Sequence, residues 1–380
     1  MTLYAKADNY NCYTLYNITR RMDDEDENER NITLLDAEFM IAGAEFPSKN
    51  SFKYISFDLV NLSDWFPRFR YASKNFKRKK QVFIPFTPSV TVNTPNNISI
   101  TFHSEVIDKW KPYGVAFELS TKIILKSNST LSFNELFQQT QKYRTLFQLM
   151  SGRYSAITEI FIHDNDKKYR TYFIDEKSDF NLKWGAGRPI FLNFKVLEKT
   201  LPKIIINWEK LYIEIKQVID ILTMEYHNYN LSPEVRFLNI ARAIETFHRK
   251  LRINKAKDEK LAKLVVTVKK GIPKKYKNKF DNSLNYIQES TLRDRVIELY
   301  SELKKQTQTE LNLQDDWINK FVKSRNYYTH FGKKNKDVLT GSHLQELSNR
   351  VRTLLYILIT KELGIKEKVL MDELHHLILL

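Results

Sequence analysis

The chain has 380 residues, 42% of them hydrophobic and 28% charged, with 9 Gly, 10 Pro and one cysteine, Cys12. These values exclude wholesale disorder, collagen-like repeats, an intrachain disulfide and thiol-rich zinc sites. The formal net charge is +16, and no apolar run approaches the about 18 residues that a membrane span needs.

In the N-terminal half, alternating or β-branched runs at 32–39, 53–60, 81–88, 97–103, 114–125, 155–163 and 188–196 predict strands. Turn-rich stretches such as 93–97 and 184–187 part them. One helix is predicted among them. Ser132 suits its N-cap, Leu136, Tyr143, Leu146, Phe147 and Met150 form an apolar stripe, and Gly152 ends it. The acidic run 23–29 is expected as a solvated loop. The run 69–80 interleaves Phe69, Tyr71 and Phe76 with cations, which suits either stacking of unpaired bases or an exposed loop.

Beyond residue 200 the apolar period becomes helical. Trp208, Leu211, Tyr212, Ile215, Val218, Ile219 and Leu222 line one face. Ser232 and Pro233 open a helix predicted to reach about Arg252, and further helices are predicted over 259–270, 276–305, 315–330 and 343–363. The expected fold class is therefore α+β: a β-rich domain over 1–200, then an all-α helical bundle over 201–380. The segment 249–279 holds thirteen Lys or Arg against Asp258 and Glu259. Such density suits a polyanion, by release of condensed counterions, or a solvated helix face.

Gly-rich phosphate loops, a nucleophile elbow, HExxH and Cys/His metal spacing do not occur. His375 and His376 are neighbours, which point apart on a helix, and His103 and His163 read as ordinary histidines. No metal or cofactor is expected. The N-terminal residues lack the apolar core of a secretory signal, so a cytoplasmic, reducing location is expected.

One segment carries more, Lys323-Ser-Arg-Asn-Tyr-Tyr-Thr-His-Phe-Gly332. At about 100° per residue, Trp317, Phe321, Arg325 and Tyr328 share a helix face, whereas His330 lies about 140° from Arg325. A guanidinium among aromatics needs an anion, either a carboxylate of a neighbouring helix or a ligand in a cleft. On the helix opened by Ser232, the apolar arc of Phe237, Ala241, Ile244 and Leu251 also contains His248, with Glu245 at its edge and Arg249 one turn on. Glu245 and His248 therefore either satisfy Arg325 or belong to a site with it.

The pair Leu238-Asn-Ile-Ala-Arg-Ala-Ile-Glu-Thr-Phe-His-Arg249 and Arg325-Asn-Tyr-Tyr-Thr-His330 resembles the HEPN ribonuclease superfamily. More narrowly, it resembles the Apea-like HEPN domain of bacterial anti-phage abortive-infection proteins, over about residues 205–365. Ile55-Ser-Phe-Asp-Leu59 and Leu62-Ser-Asp-Trp65 are similar to the ApeA-type β-rich domain that precedes it. The resemblance implies a metal-independent endoribonuclease that cleaves tRNA or another structured RNA by attack of its own 2′-OH, as a toxic effector of abortive infection. Arg325 and His330 would then be catalytic, with Asn326 the polar residue after the Arg, and Glu245 and His248 would support them. It further implies a homodimer through the helical domain, which would bring the Arg and His of two copies together; an irregular helix end near Gly332 is the other route. RNA would be bound by Arg249, Lys269, Lys270, Lys274 and Lys275, without a membrane partner, and the N-terminal domain would meet a phage-derived trigger. The competing reading is a non-catalytic HEPN-like dimeric binding module for nucleic acid or a partner protein.

Overall fold

The structure is a computed structural model. It describes residues 2–6, 11–25, 31–43, 46, 51–66, 72–76, 79–83, 89–111, 114–164, 167–173, 191–227, 231–252, 259–276, 280, 290–313 and 315–371. The chain divides into two units, Met1–Glu209 and Lys210–Leu380. The first is built on a β-sheet and the second is helical.

The first unit has eleven strands among the described residues. They are β1 Thr2–Lys6, β2 Cys12–Glu25, β3 Asn31–Ala42, β4 Ser51–Leu59, β5 Ala72–Phe76, β6 Lys79–Phe83, β7 Ser89–Asn93, β8 Ile98–Lys111, β9 Gly114–Ser132, β10 Ile157–Asp164 and β11 Lys167–Phe173. Nine form one sheet in the order β1-β2-β3-β11-β10-β4-β9-β8-β7, and β5 and β6 pair separately. Every pairing is antiparallel. Antiparallel sheets tolerate one covered and one wetter face, which is why the strands alternate instead of running apolar throughout. Phe52, Ile55, Phe57 and Leu59 of β4 are buried, and helix α2, Phe133–Ser151, packs on this strand.

Helix α2 starts and ends as its sequence dictates. Ser132 and Glu135 form a reciprocal capping box, and Gly152 closes the helix with φ 68. Around it lies an aromatic core. Trp65, in the short helix α1 Leu62–Trp65, stands edge-on to Phe147 and Phe194 and donates Nε1–H to the Leu192 carbonyl at 2.6 Å. Full burial of each such ring contributes roughly 1.5–3 kcal/mol. Above the sheet, His163 stacks on Tyr54 with centroids 4.3 Å apart, and its Nε2 lies 2.8 Å from Ser56 Oγ. Burial lowers its pKa to about 4, so the imidazole is neutral.

Three sequence expectations are corrected in this unit. The strand expected over 188–196 is not a strand where described: 191–193 are irregular, and Asn193 caps the helix α3, Phe194–Leu197. The reason is local, because Phe191 and Leu192 spend their N–H groups on the Ser151 and Met150 carbonyls at the end of α2, not on a neighbouring strand. The acidic run expected as a loop is partly strand, since Asp23–Glu25 pair with Asn31–Thr33; 26–29 lie outside the described residues. The basic-aromatic run 69–80 is not an open loop where described, because β5 and β6 pair as an antiparallel ladder; 69–71 and 77–78 lie outside the described residues.

Helix α4, Leu201–His227, contains the boundary between the units and a kink at Ile215, where φ is −118 and ψ 23. Glu209 is 2% exposed and belongs to the first unit. Its carboxylate accepts from Lys142 Nζ at 2.6 Å, from the Tyr143 hydroxyl and from Asn96 Nδ2. A buried carboxylate with three donors is a satisfied one. Burial first, then the Glu209 charge, push the Tyr143 phenol well above its usual pKa.

The helical unit continues with α5 Pro233–Leu251, α6 Glu259–Gly271, a 3₁₀ turn Lys274–Tyr276, α7 Leu292–Ser301, α8 Lys305–Leu311, α9 Trp317–His330 and α10 Gly341–Glu362. Helix α5 is the hub, packing on α7, α9 and α10. Phe237 meets Phe321 and Tyr328 of α9 at 5.3 and 6.3 Å, and Leu344, Leu347, Val351, Leu354, Leu355 and Leu358 of α10 are buried as their spacing requires. The single helix expected over 276–305 is not continuous. Thr291 and Asp294 form a second capping box that starts α7, which ends at Ser301; 277–279 and 281–289 lie outside the described residues.

Candidate active site

Helix α9 buries Trp317, Phe321, Ser324 and Tyr328, and this stripe fixes which side chains stand at its margin. Arg325 is one of them, its side chain 31% exposed. Its Nη2 donates to Glu245 Oε2 on α5 at 3.3 Å, and its Nη1 donates to Asn326 Oδ1 at 3.1 Å. The other oxygen of Glu245 accepts from Arg249 Nη2 at 3.0 Å. One carboxylate is therefore shared by two guanidinium groups, and the cluster lies at the surface, with Asn326 exposed beside it.

His330 occupies the last position of α9 and is exposed. The helix remains regular to this point. The left-handed turn comes one residue later, at Phe331 with φ 47, whose N–H donates to the Tyr327 carbonyl at 2.6 Å. Irregularity at the helix end therefore does not swing His330 towards Arg325 within one chain. The loop that follows is tied back to α9 at Leu339. Its carbonyl accepts from the Tyr328 hydroxyl and its N–H donates to Ser324 Oγ, both at 2.9 Å.

His248 stands apart from this cluster. It is fully buried, with Nδ1 3.2 Å from Arg295 Nη1 and Nε2 3.0 Å from Glu298 Oε2, both residues on α7. A guanidinium can only donate, so Nδ1 accepts and the ring proton sits on Nε2, directed at Glu298. Both ring nitrogens are thereby occupied in the interior. Of the two residues that the sequence offers to Arg325, Glu245 meets it and His248 does not.

The expected RNA-binding residues separate as well. Arg249 joins the Glu245 cluster. Lys269 and Lys270 end α6, the first half-buried and the second exposed. Lys274 lies in the 3₁₀ turn, and Lys275, exposed, sits over the Tyr276 ring at 5.8 Å. Among the described residues no three His, Cys, Asp or Glu side chains gather as a metal-binding group, and no helix is long and apolar enough to cross a membrane.

Arg325, Asn326 and His330 thus stand on one helix of the helical unit, with Glu245 contributed by α5, which packs against it. The Apea-like HEPN family matches residues 238–369. The ApeA N-terminal domain 1 family matches residues 2–208, more than half of the chain, and the chain belongs to that family. The two matches together imply a HEPN nuclease-type anti-phage effector. No curated protein and no solved structure matches the chain.

Proposed function

We propose that this chain is a metal-independent endoribonuclease that cleaves RNA through the substrate's own 2′-OH and acts as a toxic effector of abortive infection. The observation that carries the reading is the surface position of Arg325. It is anchored by Glu245 yet half-open, beside Asn326 and on the same helix as the exposed His330, inside the segment matched by the HEPN family. The substrate would be tRNA or another structured RNA. The free edge of the Arg325 guanidinium holds the scissile phosphate and offsets the charge it gains in the transition state. His330 moves the proton of the attacking 2′-OH or of the leaving 5′-oxygen, work for which an exposed imidazole is suited. The two side chains diverge within one chain, so a complete site takes Arg325 from one copy and His330 from its partner in a homodimer of the helical unit. The β-rich unit is the place for a phage-derived trigger.

A second reading has an observation in its favour: Arg325 already has a carboxylate partner within the chain, as a structural residue of a non-catalytic dimeric binding module would. Cleavage of purified RNA in excess EDTA separates the two. The nuclease reading expects products with a 2′,3′-cyclic phosphate and a 5′-hydroxyl, and growth arrest on expression that the double Arg325→Ala/His330→Ala variant relieves. Products with 5′-phosphates, or cleavage that only added divalent metal restores, would overturn it.

A further inference from the structure

Phe331 is 77% exposed, more than any other large hydrophobic side chain among the described residues. It also holds φ 47, a left-handed conformation that strains a Cβ-bearing residue, although Gly332 follows directly and a glycine one place earlier would close the helix without strain. The cap itself is a backbone hydrogen bond to the Tyr327 carbonyl, so the ring adds nothing to it. Nor does the ring pack inward. It stands edge-on to Tyr327, centroids 6.2 Å apart, with most of its surface in solvent.

Its surroundings are cationic. Gly332, Lys333, Lys334, Asn335 and Lys336 are all exposed, and the first acid after His330 is Asp337, whose carboxylate is taken by Lys323. A strained, unsheltered aromatic followed by three lysines and directly preceded by His330 suits a partner with both π-faces and phosphates. As the occupant of the ring itself a second copy suits less well, since Phe331 set against Phe331 would bring the lysines of two chains together, whereas the composite site needs only His330 to meet the other copy.

We propose that Phe331 is a stacking platform for an unpaired base next to the scissile phosphate, with Lys333, Lys334 and Lys336 along the adjoining backbone. This rests on the nuclease reading and names the substrate class of the site: RNA that is single-stranded where it is cut. Strain at Phe331 is then the cost of presenting the ring to a base instead of folding it away.

The test uses the full chain and a short single-stranded RNA of mixed sequence, 2′-O-methylated so that it cannot be cut and carrying one 2-aminopurine. Binding should quench the fluorophore. Phe331→Ala should bind about 5- to 100-fold more weakly and lose the quench, and Phe331→Trp should restore both. Phe331→Gly should melt at a higher temperature than the natural chain while binding as poorly as Phe331→Ala. Equal affinity and quench in the natural chain and Phe331→Ala would overturn the platform alone, provided the natural chain cleaves unmodified RNA. If the natural chain neither cleaves nor binds RNA, the nuclease reading falls and takes the platform with it. A drop from dimer to monomer in light scattering of Phe331→Ala would make the ring a contact between copies and overturn the proposal.

Discussion

Arg325 of α9 and Arg249 of α5 hold the two oxygens of one carboxylate, that of Glu245, at 3.3 and 3.0 Å. The pairing orients the Arg325 fork and leaves part of it open. In a partly exposed setting such a pair contributes at most about 1 kcal/mol to stability, so its value to the molecule is in direction. Glu245→Ala should therefore lower turnover about tenfold, leave RNA affinity undiminished, and cost no more than ~1 kcal/mol in thermal unfolding. Marked destabilisation with unchanged cleavage would make Arg325 a structural residue.

Arg325→Lys should be nearly as inactive as Arg325→Ala, because a point charge cannot replace a planar fork that grips Glu245 and a phosphate together. His330→Ala should cut activity about 10²- to 10⁴-fold while binding RNA normally, since the imidazole is asked to move a proton and not to hold the strand. Gel-shift and single-turnover assays on both variants measure the two quantities separately.

Because α9 stays helical through His330, the proposed sharing of one site between two copies should show in mixtures. Arg325→Ala and His330→Ala chains, each inactive, should regain activity when refolded together, because half of their heterodimer sites combine an intact Arg with an intact His. Absence of any recovery, with heterodimers verified by differential tagging, would place both groups of a site in the same chain.

Replacing Lys269, Lys270, Lys274 and Lys275 by Ala should flatten the dependence of log affinity on log salt, by about 0.7 for each phosphate of a single strand that these lysines neutralise. Lys269 is half-buried, so its share should be the smallest. A slope equal to that of the natural chain would return this segment to the status of a solvated surface.

The β-rich unit carries its own pH signature at Asp58. Burial raises this carboxyl from the usual 3.8 to about 6, against the pull of Lys122, and its Oδ1 is buried without a hydrogen-bond partner among the described residues. A raised acid pKa means that the folded state binds the proton more tightly than the unfolded chain. Stability from this group is present below about pH 4 and lost as pH rises through about 6. Asp58→Asn should therefore stabilise the protein at neutral pH, by ~1 kcal/mol after allowance for the group's partial exposure, and by nothing near pH 4. Melting curves of both proteins across that window check the sign.

Local signals in the sequence carried well into the structure. Ser132, Gly152, and Ser232 with Pro233 are self-contained cap chemistry: α2 begins and ends, and α5 begins, where these residues say. Strands whose stability comes from neighbours were less legible. β11, Lys-Lys-Tyr-Arg-Thr-Tyr-Phe, looks polar in isolation and is a strand because β10 and β3 flank it. The capping box at Thr291 was readable but lay within a long apolar period. That period masks the start of α7, and with it Arg295 and Glu298, the partners of His248. That Arg325 needs an anion followed from its helix face; which acid meets it, and how far Phe331 stands into solvent, depend on packing between helices that no spacing along the chain encodes.

Leu339 gives the loop after α9 a fixed mooring. Both of its backbone polar groups are consumed by side chains of the helix it leaves, Tyr328 and Ser324, and Val338 beside it is buried. The span between Gly332 and Lys336 can therefore be cut or lengthened without releasing what lies beyond it. A protease nick there should leave the two fragments associated, and a short peptide tag inserted between Lys333 and Lys334 should be tolerated by the fold. The same span thus offers a splice point for labels that report directly on the surroundings of the proposed site.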